Sequence, residues 1–285
     1  MRTLERPEIR STSLLTQSWS IARRNFLHIR RMPEMLLDVT LQPIMFVLLF
    51  GFVFGALTQG NSDGYREFLM AGIFAQTVVF GGTFTGFGMA EDMQKGVIDR
   101  FRTLPMHPGA VLIGRTLSDV VNNVISLLVM GITGLLIGWR IRDGILDAVV
   151  ATLLLLLFAY AISWVMAWVG LKVRTPEVVG NASFIIIFPL TFIANTFVPA
   201  ERLPAALRTF AGWNPISTLT HAVRDNFGNL GALADTGMTA EAAREAAEYT
   251  WALQNAEIYT LGWILLIMAI FVPLSIRTYQ RTVLR

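Results

Sequence analysis

The chain has 285 residues, of which 54% are hydrophobic and only 15% are charged, and its formal net charge is +3. A soluble domain usually has about 25% charged residues, so this composition argues against a soluble protein and favours a membrane protein. The absence of cysteine excludes a disulfide, a thiolate nucleophile and a cysteine-based metal site.

The N-terminal region, residues 1–35, contains seven arginines and lacks the apolar core of a signal peptide, so we expect it to stay in the cytoplasm. An apolar stripe in this region recurs at spacings of three and four residues and predicts an amphipathic helix. Arginines beside the stripe are typical of a helix lying in the head-group layer, and packing on protein is the alternative. The stripe consists of Leu15, Trp19, Ala22, Phe26 and Ile29, and the arginines are Arg23, Arg24, Arg30 and Arg31.

Six apolar stretches are each long enough to cross a bilayer core of roughly 30 Å, which takes about 20 helical residues. Their apolar runs are continuous and do not alternate, so they predict helices. The predicted fold class is an all-α polytopic membrane protein. The spans cover residues 36–57, 68–90, 111–137, 145–170, 178–198 and 258–276.

The distribution of lysine and arginine orients the predicted spans. With the N-terminus inside the cell, the cytoplasmic segments hold 16 of the 23 basic residues and the external segments hold 7. Six spans also place the tail, residues 277–285, in the cytoplasm. The segment 199–257 then lies outside, and the insert between the second and third spans lies inside.

That charged insert, residues 91–105, reads EDMQKGVIDRFRTLP. Its two leading acids suit the positive end of a helix, its apolar residues recur on one face, and Pro105 ends the helix. We therefore expect a short amphipathic helix, and a passive surface loop is the alternative. The apolar positions are Val97, Ile98, Phe101 and Leu104.

Arg115 and Asp119 lie one turn apart near the start of the third span, which places them on one helical face. We expect them to pair, either as an ordinary polar beginning of the helix or as a gate on a substrate path. The middle of every predicted span lacks charge, which disfavours an ion-driven carrier.

The external segment 199–257 begins with proline-interrupted stretches that are too short for a separate domain. We expect half-helices that dip back toward the bilayer, with a plain external cap as the alternative. An Ala/Glu-rich helix capped by Thr239 follows, and we expect it to extend the last span outward. The residues assigned to this cap are Asn195, Pro199, Pro204, Asn214 and Pro215.

No catalytic pattern accompanies the spans. The stretch 109–116 has the glycine spacing of a phosphate-binding loop, but Arg115 replaces the required lysine and no strand precedes it. His221 and Asp225 fit a solvated surface pair better than a metal or proton site. We therefore predict no catalytic residue, no metal and no cofactor in this chain, which disfavours a membrane-embedded enzyme.

Aromatic residues within the spans could line a path for an amphipathic substrate, and they fit packing or lipid-facing positions equally well. They are Phe84, Phe87, Trp164, Trp168, Phe184, Phe188 and Phe192.

The charged insert, followed by Gly-Arg-Thr at 114–116, resembles the cytoplasmic coupling segment of type-2 ABC exporter permeases. It is most similar to the branch of daunorubicin/doxorubicin-resistance permease subunits. The runs NTFVPAERLP from Asn195 and WNPIS from Trp213 resemble the second signature of that family. The basic N-terminal helix and the six spans also match, so the resemblance covers nearly the whole chain.

The resemblance implies a permease that pairs with a second copy or a homologous permease and binds two copies of a soluble ABC ATPase subunit. That ATPase would use ATP and Mg²⁺, and the N-terminal helix and the insert would rest on it. The permease would lie in the bacterial plasma membrane among lipid, with no nucleic acid as a partner.

The implied coupling residues include Phe101 as a buried anchor and Gly96 as a site of close backbone approach. The implied substrates are amphipathic drugs of the anthracycline kind or lipids. Export of a polysaccharide or glycolipid is an alternative, and an ion-coupled secondary carrier is an alternative from a different class. The coupling residues are Glu91, Asp92, Lys95, Gly96, Ile98, Asp99, Arg100, Phe101, Arg102, Leu104 and Pro105.

Overall fold

The computed structural model describes residues 18–23, 33–54, 62–98, 108–173, 175–197, 203–230 and 250–283. Within these ranges the regular structure is helical throughout, and residues 18–23 form a short helical segment of their own. The other helices are α1 (Pro33–Leu49, continued by a π-helical turn, Phe50–Phe54), α2 (Ser62–Gln94), α3 (Pro108–Leu136), α4 (Ile145–Lys172), α5 (Pro176–Ile193), α6 (Ala205–Trp213), α7 (Pro215–Asn226), α8 (Trp251–Gln254) and α9 (Ala256–Val283).

Five helices, α2, α3, α4, α5 and α9, are long and apolar enough to cross a membrane. A sixth apolar helix, between Thr40 and Val53, is shorter, and the end of the first predicted span lies outside the described residues. The predicted all-α polytopic membrane fold is confirmed, whereas the sixth span stays a prediction.

Helix α2 is the centre of the bundle. Of its most apolar stretch, 78% is buried, against 17–39% for the other four long helices. It packs on α3, α4, α5 and α7. Small residues allow this, because Gly82 lies against Ile162 of α4 and Gly86 lies against Val179 of α5.

Helix α2 begins earlier than the predicted residue 68 because its polar first turns have partners. Arg66 donates from Nε to the Gly51 carbonyl at 3.4 Å and from Nη1 to the Ile137 carbonyl at 3.5 Å. Glu67 accepts two hydrogen bonds from Arg142, at 2.6 and 3.0 Å. A prediction from hydropathy places the end of a span where polar residues begin. The helix itself continues as long as those polar residues have hydrogen-bond partners.

Gly170→Val is expected to lower the thermal stability of the purified protein. A Cβ at Gly170 would collide with the Gly86 carbonyl oxygen and lie 2.9 Å from the Met89 Cβ, so α4 would have to move away from α2. Overpacking of this kind typically costs about 1–3 kcal/mol.

Gly131→Ala is the matched control for this packing, because nothing lies within 4 Å of a Cβ at that position. It is expected to be neutral or to stabilise the helix by up to about 1 kcal/mol. Thermal melting in detergent measures both variants, and equal melting temperatures would contradict the close approach of α2 and α4.

Helices α6 and α7 form a hairpin whose second helix, α7, inserts among the long helices. At its apex, the Asn214 side chain donates to the Leu190 carbonyl at 2.8 Å, one turn before the end of α5. The same side chain accepts from the Ile216 amide at 2.9 Å and so caps α7. Helix α7 is buried from residue 216 to residue 224, against α2, α4 and α9. Two short helices are therefore present where half-helices are predicted. Helix α7 packs inside the bundle, whereas α6 is largely exposed and buries only Ala211 and Gly212. Their position relative to a bilayer stays a prediction.

The last long helix is not extended outward as one continuous helix. Helix α8 is separated from α9 at Asn255, whose backbone leaves the helical region (φ −118°, ψ 44°). The Asn255 side chain donates to the Trp251 carbonyl at 3.1 Å, which satisfies the end of α8. The Ala/Glu-rich stretch and its predicted cap, Thr239, lie outside the described residues.

Candidate functional site

The predicted functional residues lie at the two ends of the bundle. At one end, which we call the Glu91 end, α2, α4 and α9 finish and α3 and α5 begin. The opposite end holds the hairpin, and we call it the hairpin end.

The predicted coupling helix does not begin at Glu91. Helix α2 continues unbroken to Gln94, so the two acids lie in its last turns and do not form a new N-terminus. The chain turns at Lys95 and Gly96, where Gly96 adopts a positive φ of 65° and its amide donates to the Met93 carbonyl at 3.2 Å. Glycine is the usual helix stop in this conformation. The residue in the sequence that indicates this helix end is Gly96, the first glycine after the second predicted span.

Two of the predicted coupling residues are exposed on the surface of the Glu91 end. Lys95 Nζ and Glu91 Oε1 form an ion pair at 2.5 Å, with 64% and 43% of the side chains exposed. The hydrogen bond and the charge of Glu91 raise the pKa of Lys95. Exposed pairs stabilise a fold little, so these two charges remain available to a partner surface.

Ile98 behaves differently from these two residues. It is 3% exposed and belongs to an apolar cluster that includes Ile21, Met89, Leu112 and Tyr279. The start of the insert is therefore anchored to the bundle through Ile98. The other predicted coupling residues, Asp99, Arg100, Phe101, Arg102, Leu104 and Pro105, lie outside the described residues.

The N-terminal helical segment, residues 18–23, packs on α3. Ile21 is 5% exposed, the Ala22 carbonyl accepts from Ser118 Oγ at 3.4 Å, and a Cβ at Gly114 would lie 2.7 Å from the Ile21 Cβ. Small residues on α3 allow this contact.

Trp19 does not share this protein-facing side of the segment, because it is 63% exposed. The predicted apolar stripe joined Trp19 to Ala22, whereas the structure places only Ala22 against α3 and leaves Arg23 exposed. The predicted stripe did not include Ile21, although Ile21 precedes Ala22 and also packs against α3. The remaining predicted interfacial residues, Arg24, Phe26, Arg30 and Arg31, lie outside the described residues.

Arg115 and Asp119 form no direct ion pair, although the charge of Arg115 still acts on the Asp119 carboxyl. The direct partner of each side chain lies on α2. Arg115 Nη1 lies 3.8 Å from Asp92 Oδ2, and its side chain fills the space that a Cβ at Gly88 would occupy. The spacing along α3 could not indicate Asp92 as a partner of Arg115. The Arg115 side chain reaches Asp92 through the space beside Gly88, which has no side chain.

Asp119 is buried between α2 and α3 at 3% exposure and accepts a hydrogen bond from the Thr85 hydroxyl. Its backbone carbonyl accepts from the Asn123 side chain at 2.8 Å. A carboxylate inside a protein is costly unless it is paired in this way. We call Thr85, Asp92, Arg115, Asp119 and Asn123 the polar seam. From Asn123, which lies against Gly81, to Asp92 the seam follows α2 for about 16 Å at 1.5 Å per residue.

Arg224 holds the hairpin end together, and sequence reasoning missed it. It is 3% exposed, donates from Nε to the Phe68 carbonyl and from Nη2 to the Asn195 carbonyl, both at 3.1 Å, and lies 3.7 Å from the centre of the Phe68 ring. His221 is also buried, at 6% exposure, so the expected surface pair with Asp225 is wrong. Among the described residues, no group of three or more His, Asp or Glu could hold a metal ion.

The residues predicted to form a cap have different positions. Asn195 and Asn214 are buried, whereas Pro204 is exposed at the start of α6 and Pro215 occupies the first turn of α7. Pro199 lies outside the described residues.

A row of stacked phenylalanine rings runs along α5 and crosses to α1. Phe184 and Phe192 are 59% and 40% exposed, so the α5 part of the row faces out of the chain, whereas Phe197 is 6% exposed. Trp164, by contrast, is 2% exposed within the bundle. The phenylalanine row consists of Phe184, Phe188, Phe192, Phe197, Phe50 and Phe46, with successive ring centres 4.7, 4.1, 4.9, 4.6 and 5.5 Å apart.

Comparison with known proteins agrees with this architecture. The sequence profile described as "ABC-2 type transporter" matches residues 16–227. The daunorubicin resistance ABC transporter permease protein DrrB1 of Streptomyces coeruleorubidus is 33% identical over 97% of this chain and 89% of its own length. The probable doxorubicin resistance permease protein DrrC of Mycobacterium tuberculosis is 24% identical over 64% of this chain and 66% of its own. The putative transport permease ycf38 of Porphyra purpurea is 22% identical over 78% of each chain. The chain therefore belongs to the ABC-2 type transporter family of membrane permeases.

Proposed function

We propose that this chain is the transmembrane subunit of an ATP-driven exporter that moves amphipathic drugs of the anthracycline kind, or lipids, out of the cell. The observation that carries the proposal is the 33% identity, over 97% of the chain, to a daunorubicin resistance permease. The phenylalanine row supports the substrate class, because flat aromatic molecules stack on such rings with about 0.5–1.5 kcal/mol per contact.

The proposed assembly contains two copies of a soluble ABC ATPase and a second permease, either another copy or a homologue. ATP and Mg²⁺ are used by the ATPase, since this chain lacks a phosphate-binding loop. The proposed site is the bacterial plasma membrane, with both termini and the Glu91 end in the cytoplasm and the hairpin dipping into the outer half of the bilayer. Six spans are proposed, because residues 33–54 reach about 33 Å as a helix and a bilayer core is about 30 Å thick.

The Glu91 end offers a mechanical route for coupling. The turn at Gly96 joins the insert directly to α2, and Ile98 seats it in a cluster shared with α3, α4 and α9. A push on the insert therefore acts on four helices at once. The polar seam joins α2 to α3 from the Glu91 end toward the middle of the bundle. Because its side chains are bonded across the two helices, a movement of α2 would be passed on to α3.

Transport into inside-out vesicles tests the proposed function. Vesicles that contain this chain and its ATPase are expected to accumulate daunorubicin only when ATP is present. Phe188→Ala is expected to raise the KM for daunorubicin several-fold, since it interrupts the phenylalanine row; one lost stacking contact of about 1 kcal/mol corresponds to about fivefold.

Ile185→Ala is the matched control for that experiment, because Ile185 is 71% exposed on the same helix and lies outside the row. Its KM is expected to stay at the wild-type value. Daunorubicin accumulation that persists without ATP and follows a proton or sodium gradient would overturn the exporter in favour of an ion-coupled carrier. If the vesicles accumulate a polysaccharide or glycolipid and no drug, the proposed ATP-driven exporter stands, but the proposed drug or lipid substrate is wrong.

A further inference from the structure

Four buried side chains on the elements that converge where the hairpin packs on α2 each keep one polar atom without a hydrogen-bond partner. The atoms are Gln76 Oε1, Asn195 Oδ1, Thr196 Oγ1 and His221 Nε2, and each side chain is at most 6% exposed. In the described part of the chain eight buried side-chain atoms lack a partner, so half of them gather at this one place. We call the four residues the hairpin junction.

Helix α2 contributes Gln76 to the junction. Gly72 lies one turn before Gln76 on the same face, and a Cβ at Gly72 would collide with the Thr196 carbonyl and lie 2.9 Å from Thr196 Cγ2. The turn at residues 194–197 therefore presses on α2 directly beside Gln76.

Helix α7 contributes His221 from the opposite side. Ser217, His221 and Arg224 follow helical spacing and share one face. The Asn195 amide donates to Ser217 Oγ at 3.3 Å, and the Asn195 carbonyl accepts from Arg224 Nη2 at 3.1 Å. His221 thus lies between two residues that both bind Asn195, and α2, the turn and α7 converge at this point.

Unpaired polar atoms are rare inside proteins, and each destabilises the fold by about as much as a lost hydrogen bond. The surrounding α7 residues show the usual pattern, since Thr220 donates to the Ile216 carbonyl at 2.8 Å and Thr218 donates to the Pro215 carbonyl at 3.1 Å. Four unpaired atoms on three converging elements therefore need partners that the described part of the chain does not supply.

We propose that the hairpin junction binds an uncharged, oxygen-rich group, of the hydroxyl or carbonyl kind, on the amphiphile that the permease exports. This inference rests on the proposed function and adds a polar subsite to the phenylalanine row. The side chains suit such a group because amide, hydroxyl and imidazole groups can each donate or accept a hydrogen bond.

Charge narrows the choice of group. The Arg224 guanidinium is buried beside the junction, so a cationic group of the substrate, such as an amine, would meet a like charge there and has to lie outside the junction. The guanidinium is already covered by the Phe68 ring and donates to two carbonyl oxygens. An anionic group at the junction would therefore be desolvated without gaining a direct ion pair with Arg224. An uncharged group avoids both costs.

The test uses the full complex with its ATPase in proteoliposomes and three fluorescent probes. The probes share one nitrobenzoxadiazole-labelled acyl chain and carry a glycerol, a trimethylammonium or a phosphate head group. In His221→Phe and in Gln76→Leu, the KM for the glycerol probe is expected to rise about tenfold, the factor for one buried hydrogen bond, with little change in kcat. The KM values for the two charged probes are expected to stay unchanged.

Two further variants separate binding from structure. His221→Gln keeps hydrogen-bonding capacity and is expected to retain a KM near the wild-type value for the glycerol probe. Thr83→Val removes another buried unpaired atom two turns further along α2, and it is expected to leave all three KM values unchanged.

The inference is overturned if His221→Phe and Gln76→Leu affect all three probes alike, if they affect none, or if neither variant folds. It is also overturned if Thr83→Val matches them. Daunorubicin transport by the wild-type complex is measured in parallel: its absence would sink the proposed function and this inference together, whereas its presence with unselective variants would sink only the inference.

Discussion

Gly96→Val is expected to insert in the membrane and bind the ATPase but to lose permease-dependent stimulation of ATP hydrolysis. Gly96 has φ +65°, a conformation that costs an ordinary residue about 1–2 kcal/mol and a β-branched residue more. The turn between α2 and the insert would relax and re-aim Ile98 and everything that follows. Drug-stimulated ATPase activity in proteoliposomes is the measurement, and a fall of at least about tenfold is expected, as for 1.4 kcal/mol.

Gly96→Asn is the matched control for the turn, because asparagine enters the left-handed region more readily than other side chains do. It is expected to keep most of the stimulation. Phe101→Ala, at the predicted anchor on the ATPase, is expected to lose stimulation without any effect on the turn. Unchanged coupling in both Gly96→Val and Phe101→Ala would contradict the coupling role of the insert.

The long helices could be predicted from the sequence because each depends on a local property, a continuous apolar run. The helix from Ile145 to Lys172 begins at the predicted residue, since Gly144 precedes it with φ +117° and ends the loop. The start of α2 at Ser62 could not be predicted, because Arg66 and Glu67 are satisfied by residues 15 to 75 positions away. Hydropathy contains no information on such partners.

The contacts between helices were the part that sequence spacing could not supply. The spacing of Arg115 and Asp119 was read correctly as one face, but the partner of each side chain lies on α2. The decisive feature is Gly88, which has no side chain and so leaves room for Arg115. Its importance is visible only when α3 is seen packed against α2. Arg224 was missed for a related reason, because a buried arginine in a polar-looking helix resembles a solvated one until its carbonyl partners are known.

Thr85→Val is expected to lower the melting temperature and the rate of coupled transport together. The substitution keeps the shape of the side chain and removes the hydroxyl that donates to Asp119, which is 3% exposed. A buried acceptor left without its donor costs about 1–3 kcal/mol, and more when it is charged. Thr85→Ser keeps the hydroxyl and is expected to behave as the wild type in both measurements.

The double variant Thr85→Val/Asp119→Leu separates stability from coupling. Replacing both partners of a buried hydrogen bond by apolar groups is often nearly neutral, so the melting temperature is expected to recover. On the proposed coupling route α2 and α3 move together through the polar seam, so transport is expected to stay low even though the interface is filled. Recovery of transport along with stability would show that Thr85 and Asp119 only hold the helices together, and that the push from the insert travels by another route, of which the apolar cluster around Ile98 is the next to test.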